Sequence, residues 1–407
     1  MVKVHATQIR HHRRSISAGR LLQAGSVRWR VAVGLLTIAL AQPNAAAETS
    51  PGAPLQAEAR LSPAEILPPG RWATVNRSID RALGYIAAQQ EPDGSFRTVP
   101  FGQPAVTSLC VLAFMSRGHL PGQGRYWAHL DKAIDYVISC QHEDGLLSVP
   151  HPRMRRSVDV AQVAAYNHAV AGLMLSEAYG MCSLERNRTI RPAIEAAIEF
   201  ALQRHPQPKR HAEDQGGWRY LLRHQHSDSD LAVTSWYLMF LRSCRNAGFE
   251  VPVEVIDEAL EFVKRCYDPE ERIFWYALRG RERVKTRGMV GAGILSLSLA
   301  GEHETEMARH AGQWLLEHPF DRYMDTVGNN DRFFYAAFYC SHAMFQLGGR
   351  YWSEFYPVMA QTLVDGQQPS GAWDKDKWDG AYGEIYSTAM AVLALSPPHQ
   401  LLPIFQR

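Results

Sequence analysis

The chain has 407 residues, 46% hydrophobic and 21% charged, which is enough apolar side chain for a large core and too few charges for a disordered protein. Lys and Arg number 43 against 41 Asp and Glu, and this formal net charge of +2 excludes the cationic surplus that drives nucleic-acid binding.

In chain order the first feature is basic: His11, His12, Arg13, Arg14, Arg20, Arg28 and Arg30 precede the apolar run Val31–Ala41, and Ala45-Ala46-Ala47 then supplies small residues. This pattern predicts an export signal over residues 1–47 and a periplasmic or extracellular protein, with an uncleaved anchor or a disordered tail as alternatives. An apolar run of about eleven residues is short for a membrane span. Residues 48–70, rich in Ala, Pro and Glu, predict a flexible linker. Cys110, Cys140, Cys182, Cys244, Cys266 and Cys340 sit singly in apolar helical patterns, which predicts buried free thiols. The sequence has no Cys-x-x-Cys pair, which argues against a cysteine-rich zinc site.

From residue 71 to 407 one pattern repeats: an amphipathic helix, a turn rich in Gly, Pro and Asp, and a more uniformly apolar helix. The first helices carry a 3.6-residue stripe, at Val75, Ile79, Leu83 and Ile86, then at Ala133, Ile134, Val137 and Ile138, and at Ile190, Ile194, Ala197 and Ile198. It returns at Ile256, Leu260 and Val263, at Met307, Ala311, Trp314 and Leu315, and at Phe355, Met359 and Leu363. Their partners, Leu109–Met115, Ala164–Leu175, Leu231–Leu241, Val290–Ala300, Phe334–Phe345 and Thr388–Leu395, carry few charges and must be enclosed by protein. Six half-wet helices alternating with six dry ones predict an all-α fold, an (α/α)6 toroid of two concentric rings. An open solenoid is the alternative.

Between helices, Gln90 to Phe96, Gln141 to Leu147 and Gln367 to Trp373 share the spacing Gln-x-x-x-Gly-x-large apolar. Gly216-Gly217-Trp218 is a partial copy, while Phe274-Trp275 and the stretch around Tyr323 lack the Gln and Gly. Glycine permits a positive-φ turn, the large residue plugs between hairpins, and Gln can bond exposed helix-end groups. This motif resembles the Gln-Trp repeat of the squalene cyclases and protein-prenyltransferase β subunits, and the likeness covers essentially everything from Arg71 onward.

The resemblance implies two chemistries. Squalene cyclases protonate an alkene with an Asp-x-Asp-Asp-Thr acid, and its nearest counterpart is Asp228-Ser229-Asp230-Leu231-Ala232-Val233-Thr234, which is incomplete in either alignment. Asp228 and Asp230 are therefore the candidate catalytic residues, and capping of the following helix is their alternative role. Prenyltransferase β subunits hold a zinc ion, for which Cys340, His342, His168, Asp159 and Asp331 are available. Cys340 and His342 point about 200° apart on a helix, and the family's Asp-x-Cys pair is missing, so neither metal nor cofactor is expected. Tyr166, His168, Trp236, Tyr335, Tyr339, Glu384 and Tyr386 form the candidate ligand cavity, with Asn167, Thr234 and Arg287 beside them; ordinary helix packing is the alternative for each. His205, Lys209, Arg210, His211, His224 and His226 form a polar loop, read as solvated or as a lid.

The leading functional expectation is an exported toroid that binds or transforms an apolar isoprenoid or lipid molecule, with peripheral membrane association as a companion expectation. One alternative is a non-catalytic interaction scaffold, although no Cys-Gly-Glu-Gln thioester sequence is present. Another is a polysaccharide-active enzyme using Trp218, Trp236, Trp373 and the carboxylates of Asp228, Asp230 and Glu384.

Overall fold

The computed structural model describes residues 65–152, 158–223, 226–328 and 330–406. The export segment, residues 48–64 of the expected linker and His224 lie outside the described residues. Helices come in pairs: α1 (Pro69–Ala88) with α2 (Ala105–Met115), α3 (Trp127–Ser139) with α4 (Val158–Ala178), and α5 (Leu184–Arg204) with α6 (Leu231–Asn246). They continue as α7 (Val253–Arg265) with α8 (Arg287–Leu299), α9 (Glu306–Glu317) with α10 (Phe333–Leu347), and α11 (Gly349–Asp365) with α12 (Glu384–Leu395).

The even-numbered helices form the inner ring. Each packs on the next, and α12 packs on α2, while α1 meets α11 and α12, so the ring closes and the open solenoid is excluded. Burial follows charge: every residue of α12 from Ile385 to Leu395 is buried, whereas α7 buries one stripe through Ile256, Leu260 and Val263. Helix starts are set by acceptor caps. Ser183, Asp230, Thr286 and Thr305 take the third-residue amides of α5, α6, α8 and α9.

The turn motif holds each hairpin to the next outer helix. Gln90 donates to the Gly94 carbonyl (3.0 Å) and the His129 carbonyl on α3 (2.8 Å). Gln141 does the same to Gly145 and to Ala193 on α5, and Gln367 to Gly371 and to Ser78 on α1. In the partial copy His205 takes the glutamine's part, donating to the Gly216 carbonyl at 3.1 Å. The partners are carbonyls inside the next outer helix rather than at its end. Each such Gly has positive φ and lies against the neighbouring helix backbone, and a Cβ on Gly216 (φ 86°) would sit 2.1 Å from the Glu258 carbonyl oxygen. Gly216→Ala is therefore expected to lower stability by at least ~2 kcal/mol in urea unfolding. Gly70→Ala, with nothing within 4 Å, is expected to change it little.

Where the motif is lost, bulk replaces it. The fourth repeat closes with a two-residue antiparallel ladder, Tyr267–Asp268 on Ile273–Phe274, and Phe274 fills the space above Gly293. All six cysteines are free thiols, four of them buried.

The C-terminal segment covers the C-terminal ends of the inner helices. Glu177 of α4 accepts from the Ile404 amide (3.2 Å), Gln346 of α10 donates to the Phe405 carbonyl (2.9 Å), and the Phe405 ring stacks on His342 at 3.9 Å. Among the described residues no helix is long and apolar enough to cross a membrane.

Candidate functional site: an aromatic cavity at the inner-helix N-termini

At the opposite end, where all six inner helices begin, lies a cavity of about 640 Å³. A repeated hook decides which helix residues face it. The Phe96, Leu147, Trp218 and Trp373 amides donate to Thr107 Oγ1, His168 Nδ1, Thr234 Oγ1 and Thr388 Oγ1 respectively, so each hook faces the outer layer. Residues two before and two after a hook share the opposite face. Those pairs, Ala105 and Leu109, Tyr166 and Val170, Ala232 and Trp236, Tyr386 and Met390, all line the cavity, with Gly288 and Met289 of α8 and Tyr335 of α10 between them.

Loops complete the wall with Phe101, Tyr220, Tyr276, Trp378 and Tyr382. Phe101 and Trp378 are each 41% exposed at the mouth, and Phe101 contacts the edge of Tyr382 (centroids 5.9 Å). The carboxylates in the wall are Asp159, Glu282 and Asp379, and its cation among the described residues is Arg332. Arg332 pairs with Asp379, which also accepts from the Tyr386 hydroxyl (3.2 Å). Glu282 pairs with buried Arg219 at 2.8 Å. Asp159, in the first turn of α4, is exposed to the cavity.

Behind this wall sits Asp230, fully buried. Its Oδ1 caps α6 through the Val233 amide (2.8 Å), and Oδ2 faces Arg219 Nη1 at 3.7 Å. Burial pushes its carboxyl up to about 6, against the pull of Arg219, the Val233 amide and the Tyr276 hydroxyl. Tyr276 and Tyr220, whose hydroxyls are 2.8 Å apart, line the cavity, whereas Asp230 does not.

The sequence-derived candidates divide accordingly. Tyr166, Trp236, Tyr335 and Tyr386 converge on the cavity. Asp228 instead turns to the surface loop, where Arg210 grips it through two nitrogens (2.8 and 2.9 Å), so the two aspartates do not form one acid. Asp230 caps a helix outside the wall. His168 is a repeat hook, donating to the Ala197 carbonyl (3.1 Å), and burial pushes its imidazole down to about 3, keeping it neutral. Tyr339 lies beneath the wall, bonded to Ser235 at 2.8 Å. Glu384 accepts from Tyr85 of α1 (3.2 Å), away from the bore. Arg287 is buried in ion pairs with Asp331 and Asp325. Among the described residues no cluster of His, Cys, Asp and Glu could hold a metal ion. The loop residues Phe101, Tyr220, Tyr276, Trp378, Asp379 and Tyr382 carried no sequence signal of their own.

No protein-family model matches the chain, and no curated protein matches it in sequence. Solved structures do match in shape. An α-1,6-mannanase of glycoside hydrolase family 76 from Salegentibacter sp. is 12% identical with a TM-score of 0.56, covering 80% of this chain and 99% of that one. The chain is an α/α toroid. A D-mannose isomerase (13% identity, TM-score 0.54, 81% and 99% coverage) and the type II terpene cyclase MstE of Scytonema (14%, 0.51, 83% and 100%) share this toroid. At such identities the likeness shows the fold alone.

Proposed function

We propose that the protein binds an apolar small molecule of isoprenoid or lipid type in its aromatic cavity. The observation that carries this reading is the wall itself. Tyr166, Trp236, Tyr276, Tyr335 and Tyr386 line a bore that they share with the apolar side chains of Leu109, Val163, Val170, Met289 and Met390, and most of its charged groups are already paired. Desolvating a hydrocarbon against these rings contributes roughly 25 cal/mol per Å² of apolar area buried. Export is part of the proposal, resting on the basic, apolar and small-residue pattern of residues 1–47.

Titration with geranylgeraniol, followed by tryptophan fluorescence, is expected to saturate with a micromolar dissociation constant. Ala105→Trp, which fills the bore, is expected to weaken binding at least tenfold, and absence of saturable binding sinks the reading. A second reading, carbohydrate binding, draws on Phe101 and Trp378 exposed at the mouth beside Asp379. Saturable binding of α-1,6-mannotetraose with no response to geranylgeraniol would favour it.

A further inference from the structure

The polar groups of the cavity are unequally distributed by sign. Among the described residues its wall holds Asp159, Glu282 and Asp379 but no lysine, and its one arginine, Arg332, is engaged by Asp379. Asp230 adds a further acidic group just behind, and Arg219, the second nearby cation, is shared between Glu282 and Asp230.

At four of the inner-helix N-termini an amide is already engaged by an acceptor within the protein. On α2 the Ala105 amide donates to Asn167 Oδ1 (3.4 Å), and on α6 the Val233 amide donates to Asp230 (2.8 Å). On α8 Met289 donates to Thr286 (3.2 Å), and on α10 Phe333 donates to Asp376 (2.7 Å). Among the described residues, an anionic head group would find no unpaired cation in the wall, and at four inner-helix starts it would compete with an acceptor already in place.

A cation finds both things it needs. The rings of Tyr166, Trp236, Tyr276 and Tyr335 line the cavity, and aromatic rings attract positive charge through their quadrupoles. Asp159 presents a carboxylate to the cavity with no ion pair or hydrogen bond to any described residue, and Gln162 lies one turn further along the same face of α4.

We propose that the cavity selects an amphipathic ligand whose head group is an organic cation, an amine or quaternary ammonium, seated at Asp159 with its apolar body in the aromatic bore. This rests on the apolar-ligand reading above and adds the sign of the head group, which runs against a prenyl diphosphate as the ligand.

Three probes of one chain length test it: geranylgeranylamine, geranylgeraniol and geranylgeranoic acid, titrated at pH 7 in low salt. An exposed ion pair and a cation–π contact together predict that the amine binds about tenfold tighter than the alcohol. The acid is expected to bind weaker still. Asp159→Asn is expected to erase most of the amine's advantage over the alcohol. In the unaltered protein, 500 mM salt is expected to narrow the gap, a readout that needs no variant. Equal binding of all three, or tightest binding of the acid, overturns the charge assignment and leaves the apolar-ligand reading standing. Binding of none overturns both.

Discussion

Replacing Arg287 by Leu is expected to destabilise the protein by about 3–5 kcal/mol, because it strands a buried carboxylate. The guanidinium is fully buried at the start of α8. Its Nε meets Asp331 Oδ2 at 2.8 Å, its Nη2 meets Asp325 Oδ1 at 2.8 Å, and its Nη1 donates to the Pro319 carbonyl at 3.1 Å. It also lies 4.0 Å above the Phe320 ring. Asp331, equally buried, accepts the Arg287 and Val327 amides as well, so losing the arginine leaves a desolvated charge tied to two backbone groups. This cluster joins the start of α8 to the loop between α9 and α10, on the cavity side of the ring. The double replacement Arg287→Leu with Asp331→Leu is expected to recover part of the loss, since removing both charges removes the uncompensated one. Urea midpoints of the four proteins in the cycle measure this, and strictly additive losses would show that the two groups are not coupled.

The ring was legible because burial writes itself along helices with a fixed period. The contrast between the charged face of α7 and the uninterrupted Ile385–Leu395 of α12 separates outer from inner helices without any structure. Tyr166, Trp236 and Tyr386 were legible for the same reason, since each stands two residues from a polar hook on an otherwise apolar helix. The hook also explains what misled. Thr234 matches the cyclase threonine in sequence, yet its hydroxyl receives the Trp218 amide, as Thr107 and Thr388 receive Phe96 and Trp373. His168 occupies that same repeat position, which is why a polar residue on a dry helix is no ligand group there. Half of the cavity wall was illegible because it comes from loops. Glu282 is held in it by Arg219, 63 residues earlier, and Asp228 is held outside it by Arg210, 18 residues away. Such pairings have no period.

Acid is expected to act on His342 and Asp230 in opposite senses, and the two variants that remove them should show it. Burial between Phe338 and Phe405 pushes the His342 imidazole down to about 3 from an ordinary value of 6.5. Below pH 6.5 the unfolded chain binds a proton that the folded chain refuses, so this group's contribution to stability is lost progressively as pH falls from 6.5 towards 3. His342→Phe keeps the stack on Phe405 and removes the titration. It is expected to gain on the unaltered protein by an amount that grows over that window, on the order of 3 kcal/mol by pH 3. Asp230 runs the other way: its folded value of about 6 exceeds the unfolded 3.8, so its contribution is complete below pH 3.8 and is lost as pH rises through 6. Asp230→Asn, which can still cap α6, is expected to lose ground on the unaltered protein as pH falls from 6 to 4. Glu177, pushed up to about 7 by burial, titrates in the same sense as Asp230 and is common to all three proteins, so it cancels in each difference. Denaturant unfolding at half-unit pH steps gives both difference curves. Curves that slope in the same direction would mean that the environment of one of the two groups is other than described.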